Sequence, residues 1–204
     1  MEVYQSLPKK EIVVFDMITM IALKYFEQKQ VDFAVLEVGI GGVLDSTTIV
    51  NPELAVITSI GLDHTDILGD TLEKISETKC GIFKENTPII FGPDCPHEHM
   101  RNYLLDQGAE DNLIHIIEPS HQGNLDQENN EIVRKAVEIL SNNISISKSS
   151  LEEGLNTKIP GRFQKFSDKI FYDGAHNPVG IMKSINTLVD SLPKEDSNKI
   201  NLVC

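Results

Sequence analysis

The chain has 204 residues, 40% of them hydrophobic and 24% charged, with 13 glycines and 9 prolines, the make-up of a folded globular protein rather than a collagen-like or low-complexity one. Eighteen Lys and Arg against 31 Asp and Glu give a formal charge of −13, and with no basic run to make a phosphate-backbone footprint, nucleic acid is excluded as an expected partner. The longest apolar runs, such as Phe33 to Leu36 and Leu54 to Ile57, fall far short of the ~20 residues that span a bilayer, so no membrane helix is expected.

MEVYQSLPKKEIVVFD lacks the basic, apolar, small-residue order of a signal peptide. From Val14 to Phe26 the apolar residues Val14, Met17, Ile18, Ile21, Ala22, Tyr25 and Phe26 recur at helical spacing, with Asp16 placed to favour a helix start. VDFAVLE then reads as a buried strand that runs through Glu37 into the tight loop GIGG, and LAVITSI reads as a second strand. DTLEKISETKCGIFK predicts a helix capped by Asp70 or Thr71, and TPIIFG a third strand. Residues 93–125 are polar turns around one weak strand, NLIHII. NNEIVRKAVEIL predicts a helix, NNISISKSS a linker, and SSLEEGL a short helix with a Ser-x-x-Glu capping box. The remainder reads as IPGRF, a strand KIFYD, the turn GAHNP, a helix VGIMKSINTLVDSL and a last strand INLVC. Near-continuous apolar strands entered from helices predict an α/β fold, a mostly parallel sheet flanked by helices. The polar linker divides it into a central domain over residues 1–157 and the start of a smaller α/β domain over 158–204, too short there to enclose a core.

Glu37 and His64 fall at the expected carboxyl ends of two strands, where α/β sheets place ligands, and as a pair they can share a metal ion. Taken singly, Glu37 is equally a solvated strand-end carboxylate and His64 a histidine satisfied by hydrogen bonds. Lys79 lies in the following helix, where the plain alternative is a solvated lysine. The oxygen ligand favours Mg²⁺, and the imidazole a transition metal; Mg²⁺ is the better match where nucleotide phosphates complete the shell. Cys80, Cys95 and Cys204 form no paired framework, which fits a reducing cytosol.

The run LEVGIGGVLDSTTIVNPELAVITSIGLDHTDILGDTLEKISETKCGIFK resembles the central signature of the folylpolyglutamate synthase/dihydrofolate synthase family, part of the wider Mur-ligase group. Three motifs, EVGxGGxxDxTN, GLDHxxxLGxT and EKAGIxK, occur in order within about fifty residues, and IPGRF and YDGAHNP resemble two further ones. The resemblance implies an ATP-dependent ligase that adds L-glutamate to a folate through an acyl phosphate, with ATP and Mg²⁺, working in the cytoplasm or mitochondrion as a monomer when full-length. It implies Glu37 and His64 as Mg²⁺ ligands, Lys79 as a lysine carbamylated in the family, His64 and Lys79 as catalytic groups, and Arg162, Asp173 and His176 as nucleotide contacts. The alternatives are another Mur-type amino-acid ligase of cell-wall synthesis and a catalytically inactive Mur-like binding module.

Departures accompany the matches. Val43 and Thr48 stand where the family commonly has Arg and Asn, and Thr78-Lys79-Cys80-Gly81 where it has EKAG. No G-x-x-x-x-G-K-[ST] occurs in the 204 residues, so the chain is expected to be an N-terminally truncated piece that alone binds ATP poorly.

Overall fold

The structure is a computed structural model that describes residues 13–119, 125–141, 144–192 and 200–201. Helix α1, Val14–Lys29, starts where expected: the Val13 amide donates to Asp16 Oδ2 at 3.0 Å, and Gln30 closes the other end in the left-handed conformation. Its apolar face is largely uncovered, with Val14 73% and Ile21 65% exposed.

Residues 31–37, expected as a strand, form none, and Val35 is 97% exposed. A strand needs a ladder partner for its amides and carbonyls, and none of the described strands lies alongside this segment. The sheet begins instead with β1, Ala55–Ser59, and continues in the order β1-β2-β3 with β2, Ile89–Asp94, in the middle and β3, Ile114–Ile116, beyond it. Both pairings are parallel, as expected. Ile89, Ile90 and Phe91 are fully buried, which explains why this strand reads as an unbroken apolar run. The β1–β2 register shifts between Ile57 and Ser59, opposite Gly92 and Pro93. A Cβ on Gly92 would come within 1.9 Å of the Thr58 carbonyl oxygen, and Pro93 has no N–H to offer the ladder.

Alternation sends Ala55, Ile57, Ile89 and Phe91 to one face, where they pack with Leu68 of the one-turn helix α2 (Thr65–Leu68), Ile75 and Cys80 of α3 (Leu72–Cys80), and Met100 and Leu104 of α4 (His97–Asp106). Helix α4 falls in the stretch expected to be turns. On the other face β2 meets α5, Leu125–Leu140, whose Ile132 is buried. Thr71 caps α3 through Oγ1, which accepts from the Lys74 amide at 3.3 Å.

Helix α6, Lys148–Leu155, is capped by Ser147, whose Oγ accepts from the Ser150 amide at 3.0 Å; the cap sits upstream of the Ser-x-x-Glu pattern expected to supply it. β4, Gln164–Ser167, and β5, Ile170–Tyr172, form an antiparallel hairpin. Helix α7, Pro178–Ser191, follows with Asn177 as its cap and Pro178 in its first turn. The strand expected at INLVC lies, beyond Ile200 and Asn201, outside the described residues. Among the described residues no helix is long and apolar enough to cross a membrane.

Candidate active site

The GIGG loop is shaped by one carboxylate. Asp45 is 8% exposed; its Oδ2 accepts from the amides of Gly39 at 2.9 Å and Ile40 at 3.1 Å, and its Oδ1 from the Thr47 amide at 2.9 Å and hydroxyl at 2.5 Å. Burial by itself raises the Asp45 pKa, but the hydrogen bonds from Thr47, Ile40 and Gly39 outweigh it and hold the carboxyl below its ordinary range. The loop then closes on the end of α3. The Val43 amide donates to the Thr78 carbonyl at 3.1 Å, and a Cβ on Gly42 would lie 2.6 Å from the Thr78 oxygen and 2.8 Å from the Lys79 oxygen. The Lys79 backbone is thereby fixed against the loop, while its half-buried side chain makes no hydrogen bond or ion pair with a described residue. Glu37, just upstream of the loop, is exposed and likewise unpaired among the described residues.

After β1 the GLDHT loop turns sharply. His64 is left-handed, φ 48° and ψ 40°, and its carbonyl starts α2 by accepting from the amides of Ile67 and Leu68. Asp63 directs the loop: its Oδ1 accepts from the His64 amide at 2.8 Å and lies 3.9 Å from His64 Nε2. Its Oδ2 accepts from Asn177 Nδ2 at 3.0 Å and lies 3.8 Å from His176 Nε2. Asn177 first, and then the His64 amide, hold the Asp63 carboxyl below its usual range. His64 and His176, read separately from the sequence, therefore meet through a residue that the sequence reading passed over.

The DGAHNP turn is built the same way. Asp173 Oδ2 accepts from the Phe163 amide at 2.6 Å, and Oδ1 from the Ala175 amide at 2.7 Å and the Ser184 hydroxyl at 3.1 Å. Burial pushes its pKa up, but these donors, aided by the Arg162 charge, prevail and lower it. Gly174 donates to the Gly161 carbonyl at 2.9 Å. The exposed Arg162 guanidinium lies close by: a Cβ on Gly174 would be 3.4 Å from its Nη1. Asn177 Oδ1 accepts from the Gly180 amide at 2.8 Å while its Nδ2 serves Asp63, so one side chain both caps α7 and joins it to the GLDHT loop.

Two clusters result: His64, Asp63, His176 and Asn177 between the loops, and Arg162 beside Asp173 in the turn. Among the described residues Glu37 and Lys79 make no hydrogen bond or ion pair with either, and with residues 31–37 outside the sheet, Glu37 and His64 do not stand at the ends of paired strands. Asp63 and Asn177 carry local signals, an Asx residue beside a tight turn and an Asn directly before Pro at a helix start.

The sequence profile described as Mur ligase middle domain matches residues 14–165. The dihydrofolate synthase/folylpolyglutamate synthase of Escherichia coli (strain K12) is 34% identical over 188 residues, covering 82% of this chain and 44% of the relative. A folylpolyglutamate synthase (FPGS) solved with AMPPCP and folate superposes with a TM-score of 0.79 at 28% identity, covering 94% of this chain and 56% of that one. A bifunctional folylpolyglutamate synthase/dihydrofolate synthase solved with Mn, AMPPNP and L-glutamate does so at 0.76 and 29% identity, covering 93% and 51%. The chain spans about half or less of the length of the relatives it matches, for example 52% and 22% of two others. With a middle-domain match over most of its length and ordered motifs set on the matching fold, this chain belongs to the Mur ligase family, with folylpolyglutamate and dihydrofolate synthases as its relatives.

Proposed function

We propose that this chain forms part of an ATP-dependent ligase that joins the amine of L-glutamate to a folate-type carboxylate. The observation that carries the reading is the meeting of His64 and His176 at Asp63, which seats the DGAHNP turn on the GLDHT loop. Its chemical context comes from the relatives solved with a nucleotide analogue, folate, Mn and L-glutamate.

In such a reaction a carboxylate oxygen attacks the γ-phosphorus of ATP; an O–P bond forms and the P–O bond to ADP breaks. The glutamate amine then attacks the acyl carbon, a C–N bond forms, phosphate leaves and the amine loses its proton. The first step joins two anions, so its barrier depends on groups that neutralise developing charge. Arg162, exposed beside the turn, offers a planar guanidinium suited to phosphate oxygens. Asp173 has about four acceptor positions, of which Phe163, Ala175 and Ser184 take three, leaving one for a nucleotide hydroxyl. His176, its side chain 73% exposed, turns Nε2 towards the same Asp63 oxygen that Asn177 serves, with Nδ1 3.3 Å from the Gly174 carbonyl.

Mg²⁺ keeps waters, uses substrate phosphates and needs only one or two protein donors. Glu37 and His64 are both exposed, and one carboxylate with one imidazole is a donor set that suits a hydrated, phosphate-bound Mg²⁺. Glu37 and His64 would hold the ion, which when bound would neutralise charge on the transferred phosphoryl group. Lys79, fixed at the end of α3, would on carbamylation change from cation to anion and add a ligand or an amine-positioning group.

The reading includes a division near residue 157 into the central domain, 1–157, and the start of a second, 158–204. It also carries a monomeric enzyme of the cytoplasm or mitochondrion. Its test is ligation by the full-length protein: a folate acceptor should be elongated in an ATP-dependent way and a UDP-linked cell-wall acceptor should not. Glu37→Ala or His64→Ala should abolish elongation with circular dichroism unchanged. Retained activity in both variants contradicts the metal assignment, and preference for the UDP-linked acceptor contradicts the substrate class.

A further inference from the structure

Away from these two clusters, three charged groups from distant parts of the chain meet in a nearly closed contact. Lys183 on α7 donates to Asp94 at the carboxyl end of β2 and to Glu128 Oε2 of α5 at 2.7 Å. The side chains of Lys183 and Glu128 are only 14% and 8% exposed, and that of Asp94 38%. Withdrawing such charges from water is costly, so the contact persists only while all its members are paired. It carries one positive and two negative charges. Without the ammonium, the buried Glu128 would be left unpaired beside the more exposed Asp94, two like charges with no cation between them.

The contact lies on the same helix as the Asn177 bond to Asp63, six residues further on, or about 9 Å along the axis at the α-helical rise. One anchor leaves a helix free to pivot, whereas two separated anchors fix its direction. Ser184, next to Lys183, donates to Asp173 Oδ1, so the orientation of α7 is passed directly to the turn. Val179 lies between the anchors, where a Cβ on Gly61 would be 3.5 Å from its Cγ2.

We propose that Lys183 is a positioning residue: its ammonium, held between Asp94 and Glu128, orients α7 and so seats the DGAHNP turn on the GLDHT loop. Its consequence for ligation rests on the ligase reading, but the seating itself does not.

The test is amide hydrogen exchange on the full-length protein, read at Gly174, Ala175, Gly180 and Ile181 and, as an internal reference, at Ile90 and Phe91 of β2. Lys183→Met should speed exchange at the four reporters about tenfold or more while leaving β2 unchanged. Lys183→Arg, which keeps a cation able to reach both carboxylates, should restore protection to within about threefold of the parent. Lys183→Met combined with Glu128→Gln removes the unpaired buried carboxylate; it should fold even where the single variant does not, and show the same loosened turn. The proposal is overturned if reporter protection in the double variant equals the parent's, if reporters and β2 lose protection by the same factor, or if Lys183→Arg behaves as Lys183→Met. None of these rates depends on whether the protein is a ligase, so failure of the seating and failure of the ligase reading are separable.

Discussion

Replacing Asp45 by Asn removes one charge and changes almost no volume, so it isolates what the carboxylate does for the GIGG loop. Asp45 uses both oxygens, taking two amides on one and an amide and a hydroxyl on the other. An Asn side chain has a single acceptor oxygen, so one of these pairs must face an NH₂ group. A hydrogen bond to a charged group contributes about 1.5–3 kcal/mol, and a buried donor left unmade costs about 1–3 kcal/mol. Two bonds are lost at a site only 8% exposed, partly offset by no longer burying a charge, giving a net destabilisation of about 3 kcal/mol. For a chain of this size that is a fall in Tm of about 6–12 °C. Urea unfolding followed by circular dichroism should show a lower midpoint with an unchanged slope, as expected for a stability loss without a change in exposed surface. A midpoint equal to the parent's would refute the claim that this carboxylate organises the loop.

A methyl group at Gly81 would sit 2.5 Å from the Val43 amide nitrogen and 2.6 Å from its Cα, so Gly81→Ala should destabilise by about 1–3 kcal/mol in the same assay. Gly154→Ala on α6 meets open space and should stabilise by about 0.5–1 kcal/mol, which makes it the matched control. Asp45 and Asp173 both titrate below their ordinary 3.8 when folded; their contribution is present above that pH and lost as pH falls through the lower folded values, so acid titration by fluorescence or circular dichroism should show loosening below about pH 4. At the other extreme, Lys183 loses proton affinity through burial, but its bonds to Asp94 and Glu128 prevail and raise its pKa above 10.5. Its contribution is therefore complete below that pH and lost as pH rises beyond it. In ¹³C-bicarbonate the proposed carbamate on Lys79 should give a carbonyl resonance that Lys79→Ala abolishes; the same resonance in the variant would place the modification elsewhere.

The elements that were legible in the sequence are those set by local pattern. Thr71, one of the two caps expected, caps α3, and α7 follows the GAHNP turn, because a hydroxyl acceptor and the fixed φ of Pro178 act within one turn of the chain. The buried β2 was legible because it is apolar on both faces. Helix α4 was not: its first turn, His97-Glu98-His99, is polar, and only Met100 and Leu104 are fully packed. Residues 31–37 were misread because an apolar run records a tendency to be buried, not whether a neighbour lies beside it.

The same division holds for the site. The left-handed His64 and the carboxylate of Asp63 are consequences of a turn, and the Asp63–Asn177 bond joins residues 114 apart while Lys183–Asp94 joins residues 89 apart. Periodicity has no term for such contacts. Strand-end position together with motif resemblance supplied His64, and resemblance supplied Arg162, Asp173 and His176, but the geometry is what ties His64 to His176 through Asp63.

The claim that this chain belongs to a ligase working through an acyl phosphate is tested most directly by isotope transfer. A folate acceptor whose side-chain carboxylate carries ¹⁸O is incubated with L-glutamate, ATP and Mg²⁺ and the full-length protein, and the released phosphate is analysed by mass spectrometry. The account predicts ADP and inorganic phosphate carrying one ¹⁸O atom for each amide bond formed. Amide formation with AMP and pyrophosphate, or with unlabelled phosphate, would contradict it.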